Sequence, residues 1–282
     1  MNKINVIING EIQQNILTYT FNKEGSHNIY ITFNNLTNNM AGMFLGCSSL
    51  KEIDLSFCNT SQVTNMSSMF YGCSSLEKIY LSSIITEQVT DMNSMFYGCK
   101  SLKELNLSSF NTNQVTNMSY MLSNCSSLKE LDLSSFNTIN VTNMNDMFSG
   151  CTSLKQISLS SSFNTIQVTN MSGMFSNCSN LKELNLSTFN TEQVIYMNWM
   201  FSGCSGLEKL NLSSFNTNKV IDMSGMFFHC YSLKELYLSS SFNTLNETDV
   251  SDMFDGCSLE LNCNDQKIKK QLNNVNSCCI IV

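Results

Sequence analysis

Apolar and polar positions along this chain fall into short bursts that return at a fixed interval. Leu102-Lys-Glu-Leu105-Asn-Leu107 ends on a period of two, the pattern of a half-buried strand. It recurs as Leu128-Leu131-Leu133, Leu181-Leu184-Leu186 and Leu207-Leu210-Leu212, with Ile at 53, 79 and 157. A Ser-Ser-Phe-Asn-Thr turn follows and aligns Phe110, Phe136, Phe163, Phe189, Phe215 and Phe242 in one column, which Cys58 and Ile84 fill in the first two units. Next comes Val115-Thr-Asn-Met118-Ser-Tyr-Met121-Leu122-Ser-Asn-Cys125, whose apolar residues stand three or four apart. That spacing predicts a short helix with one buried face, for which Thr116 and Asn117 are suitable N-cap residues.

The interval itself is nearly constant. Cysteines stand at 47, 73, 99, 125, 151, 178, 204, 230 and 257, with every gap 26 or 27 residues. Each 27 comes from one extra serine, in Ser160-Ser161-Ser162 and in Ser239-Ser240-Ser241. A period of this size predicts stacked coils, none of them stable alone. Parallel strands of successive coils pair about 4.8 Å apart, so nine give one sheet roughly 40 Å long. The expected class is an α/β repeat: about nine 26-residue coils, one parallel β-sheet, and short helices on the other face.

The ends depart from the repeat. Residues 1–35 read as an N-terminal β cap with strands at Ile4–Ile8, Ile16–Phe21 and Ile29–Phe33, the last two separated by the turn Asn22-Lys-Glu-Gly25. In the final unit Glu247 replaces the usual Val and Val250 replaces Met, which suits a coil with no neighbour to cover it. The solenoid is therefore assigned to 36–262 and a flexible tail to 263–282.

The Leu-x-x-Leu-x-Leu strand with its Phe-x-x-Cys-x-x-Leu return resembles the BspA-like leucine-rich repeats. The unit Val-Thr-Asn-Met-Ser-x-Met-Phe-x-x-Cys-Ser-Ser-Leu carries the likeness over roughly residues 36–262. The resemblance implies a curved, right-handed leucine-rich-repeat solenoid, of a kind found in bacterial and protist surface proteins with roles in adhesion and protein binding.

Composition narrows the function. Net charge is −7 and the sequence has a pI near 4.8, against the basic stripe of a nucleic-acid binder. Arginine is absent, which removes the bidentate clamp for phosphate and carboxylate; with proline absent too, biased base composition is the simpler cause. The N-terminus holds an apolar run too short for a signal-peptide core, and no 18-residue apolar stretch offers a membrane span. Residence in the cytosol is the expectation, where thiols stay reduced.

No catalytic or metal-binding set is expected. One cysteine per coil on an inward face is not a convergent tetrahedral zinc site, and a buried free thiol behaves as a small hydrophobe. The only histidines are His27 and His229, and neither forms a nucleophile–base pair. The methionine columns, Met66 to Met223 and Met69 with its kin, read as core. Asn-x-Ser/Thr triplets such as Asn65-Met-Ser67 arise automatically from the repeat. The outward strand positions give a candidate protein-binding face: Asp54, Tyr80, Asn106, Asp132, Asn185, Asn211 and Tyr237, with the tyrosines as anchors. The neighbouring serine column, Ser56 to Ser239, reads as a hydrogen-bonding ladder. Trp199, the only tryptophan, aligns with Ser68, Ser94, Tyr120, Asp146 and Gly173 and could join Tyr196 in a second patch.

The chain ends Cys278-Cys279-Ile280-Ile281-Val282, and Cys279-Ile-Ile-Val has the form of a C-a-a-X box. Its resemblance to prenylation substrates implies an isoprenoid thioether at Cys279 and a eukaryotic cell. One lipid chain binds membranes marginally. Cys278, for reversible acylation, and Lys267, Lys269 and Lys270, for anionic lipid, are the candidate second signals. The expected protein is a non-enzymatic binding or adhesion-type module with no cofactor, anchored to a membrane. The alternative is a scaffold or signalling adaptor at the cytosolic face of the plasma membrane. The partner itself is not legible.

Overall fold

The structure is a computed structural model. It describes the strands of residues 4–8, 11–14 and 29–33 at the level of the backbone, and residues 38–56, 58–257, 259 and 265–271 in full. Three N-terminal strands, β1 (Ile4–Ile8), β2 (Glu11–Gln14) and β3 (Ile29–Phe33), form an antiparallel sheet in the order β2-β1-β3. Two of the three expected strands stand at the expected bounds. The remaining strand is Glu11–Gln14, and residues 16–21 lie outside the described residues.

From residue 38 the chain winds in coils, numbered here by the column cysteine from Cys47 (coil 1) to Cys257 (coil 9). Neighbouring cysteines belong to neighbouring coils, since Cys99 Sγ donates to Phe70 O at 3.3 Å, just as Cys73 Sγ donates to Phe44 O at 3.1 Å. The strand face holds β4 (Glu52–Asp54) paired with β5 (Lys78–Tyr80), β6 (Glu130–Leu133) with β7 (Gln156–Leu159), and β8 (Lys209–Leu212) with β9 (Glu235–Leu238), all parallel. The single sheet expected from the repeat is thus divided into three pairs, with coils 3 and 6 lying between them.

The opposite face corrects the helix expectation. Alternate backbone N–H groups point to the next coil, and those between them close tight turns within their own. Met66, Ser68, Phe70 and Gly72 donate to Asp91, Asn93, Met95 and Tyr97 oxygens at 2.7–3.0 Å. Bridges at this face run unbroken from Asn39 through Asn65, Asp91, Asn117, Asn143, Asn170, Tyr196 and Asp222 to Asp249. The three-residue spacing comes from consecutive tight turns. Met69 N–H closes on Met66 O and Cys73 N–H on Phe70 O, while Ser68 and Gly72 take φ of +55° and +73°. Those values suit the third position of a type II turn and exclude a helix.

The interior is one continuous cluster of columns. Phe148, Phe175, Phe201, Phe227 and Phe254 stack ring on ring at centroid spacings of 5.3–5.8 Å, and Phe44, Phe70 and Phe96 stack likewise at 5.2 and 5.5 Å. Leu122 interrupts this column at coil 4. Each fully buried ring stabilises the stack by about 1.5–3 kcal/mol relative to exposure. The methionine columns are buried with them, as expected.

Polar columns lock the coils together. The hydroxyl of buried Thr112 donates to Asn137 O at 2.8 Å and accepts Asn137 N–H at 2.9 Å, and Thr86, Thr165 and Thr191 make the same double bond. The serine ladder exists but runs one residue later than expected: Ser109, Ser135 and Ser214 donate to the carbonyls of Leu81, Leu107 and Leu186. In coils 5 and 8, which carry the extra serine, the ladder stands at the expected position: Ser160 Oγ donates to Phe136 O at 2.7 Å and Ser239 Oγ to Phe215 O. Thr188, at the ladder position of coil 6, carries the one buried hydroxyl without a partner among the described residues.

The C-terminal end is more ordered than a tail from 263 implied. Residues 266–271 form a short helix, α1, capped by Asp265, whose Oδ1 accepts the N–H of Lys267 and Ile268 at 2.9 and 3.1 Å. Ile268 is fully buried. Among the described residues no helix is long and apolar enough to cross a membrane.

Candidate binding faces

The outward strand positions are exposed, but most have a local task. Oδ1 of Asp54, Asn106, Asp132, Asn185 and Asn211 accepts the N–H of the serine two residues on, at 2.8–3.0 Å. These Asx turns swing the chain off the strand. The Ser56 hydroxyl and then its N–H hold the Asp54 carboxyl below the usual carboxylate range; the Ser134 N–H and then its hydroxyl do the same for Asp132. Five of the residues selected from sequence for partner binding therefore owe their identity at least in part to turn formation.

Tyr80 and Tyr237 have no such task. They are 46% and 47% exposed, near opposite ends of the strand face. Tyr237 Oη donates to Glu235 Oε2 at 2.8 Å, Lys209 Nζ stands 3.0 Å from the same oxygen, and that ammonium lies 5.3 Å from the tyrosine ring. The hydrogen bond between Lys209 and Glu235 raises the lysine pKa and lowers that of the glutamate. Between the tyrosines, an open groove of about 680 Å³ crosses coils 3 to 5. Lys103, Glu104, Asn106, Lys129, Glu130 and Asp132 line it where the strand ladder is interrupted.

The turn face carries two aromatic groups. Tyr71 and Tyr97 stack at 4.5 Å, with Tyr120 edge-on to Tyr97 at 6.3 Å. In coils 7 and 8 Trp199 meets Phe228 edge-on at 5.4 Å, Phe228 stacks on His229 at 3.8 Å, and His229 on Tyr231 at 5.0 Å. The sequence singled out Trp199 and Tyr196. Both are exposed, at 38% and 40%, but the recorded ring partner of Trp199 is Phe228 of the next coil. Tyr71, Tyr97, Tyr120, Phe228 and Tyr231 were missed. Their signal was present as aromatic residues in columns where Ser or Gly is the commonest residue.

The column thiols are hydrogen-bond donors. From Cys73 to Cys257 each Sγ donates to the carbonyl of a Phe, or of Leu122, in the preceding coil at 3.0–3.3 Å. Burial pushes the thiols of Cys73, Cys151 and Cys204 up to about 12. They are neutral packing groups at physiological pH, and thiol, not thiolate, is the form least able to act as nucleophile or ligand. Among the described residues no group of three or more His, Cys, Asp or Glu converges as a metal site would require.

Lys267, expected to face lipid, is already engaged. Its ammonium donates to Leu245 O at 3.1 Å, Thr248 O at 3.2 Å and Asn246 O, closing the loop of the last coil. Lys270 is exposed, and Lys269 is partly so. Cys278 and Cys279 lie outside the described residues.

No curated relative matches the chain. Similar solved structures include a leucine rich cell surface protein from Faecalibacterium prausnitzii A2-165, 18% identical over 72% of this chain and 69% of that one, with a TM-score of 0.35. Another is a leucine-rich repeat protein from Eubacterium ventriosum ATCC 27560, also 18% identical with a TM-score of 0.35, covering 76% of this chain and 60% of that one. Residues 38–162 and 155–266 both match the family described as Mycoplasma protein of unknown function, DUF285. Those two stretches take in every coil, and the chain belongs to the DUF285 family.

Proposed function

We propose that this protein is a non-enzymatic binding module whose strand face recognises a protein partner and whose Cys279 carries a prenyl group that ties it to a membrane. One observation carries the first half: Tyr80 and Tyr237 are exposed aromatic residues on a face that holds an open groove across coils 3 to 5 and whose remaining outward residues are largely committed to turns. Amphipathic aromatic anchors around a polar surface suit protein recognition. The absence of a catalytic role is part of the proposal, supported by thiols held neutral and by a histidine, His229, packed between Phe228 and Tyr231.

The partner is sought by affinity capture with the wild type and with Tyr80→Ala plus Tyr237→Ala. A protein retained by the first and lost by the second supports the strand face; equal retention excludes it. The anchor is tested by Cys279→Ser and membrane fractionation. It requires Val282 to be the carboxyl-terminal residue, which intact mass measures together with the isoprenoid increment.

A second reading, a scaffold or adaptor at the cytosolic face of the plasma membrane, is favoured by one observation. Ten cysteines among the described residues are all free thiols, as expected of a reducing compartment. Protease shaving of intact cells separates the two: loss of the solenoid supports surface adhesion, and full protection supports the inner face.

A further inference from the structure

The turn face changes character in coils 7 and 8. The position held by Thr64, Thr90, Thr116, Thr142 and Thr169 in earlier coils becomes Ile195 and then Ile221, and the Asn or Asp that precedes each turn becomes Tyr196. Trp199, Phe228 and Tyr231 complete the change. Ile221 is 42% exposed, Tyr196 40%, Trp199 38% and Tyr231 57%. These departures cluster at the end of the solenoid from which the chain leaves through α1. Cys279 stands eight residues beyond Gln271, within about 29 Å at full extension.

We propose that this aromatic and aliphatic patch of coils 7 and 8 is a bilayer-docking surface that lays the C-terminal end of the solenoid against uncharged lipid headgroups. The inference rests on the membrane reading above and supplies the second signal that a single prenyl chain needs. Tryptophan and tyrosine, apolar in body and polar at the tip, are the residues that settle at the membrane–water boundary. The basic alternative is weaker. Lys267 is spent on three carbonyls, and the last coil exposes Glu247, Asp249, Asp252 and Asp255 beside the patch. That balance opposes attraction to anionic lipid, which needs clustered lysines.

Trp199 is the only tryptophan, so its emission reports on the patch directly. The full, unlipidated chain is titrated with phosphatidylcholine vesicles at high lipid. A blue shift, with quenching by brominated acyl chains, is expected, and vesicles enriched in phosphatidylserine give no gain. Phe228→Ser and, separately, the exposed Tyr231→Ser keep the probe and weaken partition several-fold. Emission unchanged at high lipid, or a shift seen only with phosphatidylserine, overturns the proposal. Prenylation is read separately as a mass increment on the same chain. Its failure beside a blue shift removes the anchor and leaves the patch; its success beside silent emission removes the patch alone.

Discussion

The ring of Trp199 lies on Gly225, the residue one coil later in the same column. A Cβ placed on Gly225 would stand 2.4 Å from Trp199 Cε3. The relationship repeats along the turn face: Asn124 covers Gly150, Asp146 covers Gly173, and Asn177 covers Gly203. In these four pairs the side chain at a left-handed turn position leans over the next coil and fills the space that a Cβ on the facing glycine would take.

Gly225→Ala is therefore expected to cost more than the conformational penalty of about 1–2 kcal/mol for an L-residue in the left-handed region. Gly72→Ala is its control: φ is also positive, but the nearest atom, Gly46 Cα, lies 3.7 Å away. Urea denaturation should rank Gly225→Ala as the more destabilised. Only that variant should red-shift Trp199 emission as the ring is pushed into water.

Thr112→Val removes a hydroxyl that serves as donor and acceptor to Asn137. Two part-buried backbone groups of Asn137 lose their partner, and a loss of about 1–3 kcal/mol is expected. Thr116→Val, at an exposed rung of the outer ladder, should change stability by less than about 0.5 kcal/mol. The difference in urea midpoint between the two variants checks both statements.

The raised thiol pKa values set an alkaline limit. An unfolded thiol titrates at its ordinary value of 9.0, and burial lifts Cys73, Cys151 and Cys204 to about 12. Above pH 9 the unfolded chain loses these protons while the fold retains them, so stability is full below about 9 and declines from there towards 12. Circular dichroism should show unfolding within that window. At neutral pH a thiol reagent should spare the column from Cys73 to Cys257 and react with the exposed Cys47.

Asp265 holds α1 to the last coil, its Oδ2 accepting Thr244 N–H and hydroxyl at 2.8 Å each. Burial alone would raise its pKa, but the N–H groups of Ile268, Thr244 and Lys267 and the Thr244 hydroxyl hold it below the usual range. A depressed carboxyl stabilises the fold above the unfolded value of 3.8, and the contribution disappears as pH falls through the folded value. Asp265→Ala should cost about 1–2 kcal/mol locally, seen as faster hydrogen exchange in 265–271 with coils 2–6 unaffected.

Much of this molecule is legible in the sequence because each column repeats one physical demand. The period, the Leu strand, and the Phe, Met and Cys columns all describe residues that stack on their own copies; the columns are buried as expected except at Cys47, exposed in the first coil, and at strand positions such as Ile53 and Ile79, which are partly buried. The helix expectation failed because Val115, Met118, Met121 and Leu122 have spacings that fit two geometries, a helix and a chain of type II turns. What separates them is the residue before each column cysteine: Gly46, Gly72, Gly98, Gly150, Gly203 or Gly256, Asn124 or Asn177, and once His229. Glycine and asparagine tolerate positive φ and weaken helices. Candidate binding residues were less legible. Asp54 and Asn211 vary along their column as a recognition residue would, yet Asp and Asn both serve as Asx-turn acceptors. The aromatic cluster at Trp199 was half visible, since its main partner, Phe228, is 29 residues away and in line only when coils are stacked.

The turn-face ladder has a direction. Met66, Ser68, Phe70 and Gly72 send their N–H towards the following coil, and the pattern holds through His229, which donates to Asp255 O. Peptide dipoles on that face consequently add along the solenoid axis, as they do in a helix, with the positive pole at the C-terminal end. Glu247, Asp249, Asp252 and Asp255 sit at that pole, and the uncharged stretch Asn38 to Leu50 sits at the other. The concentration of acid in the last coil thus neutralises a field that the stacking itself generates, and lysines introduced there would oppose it.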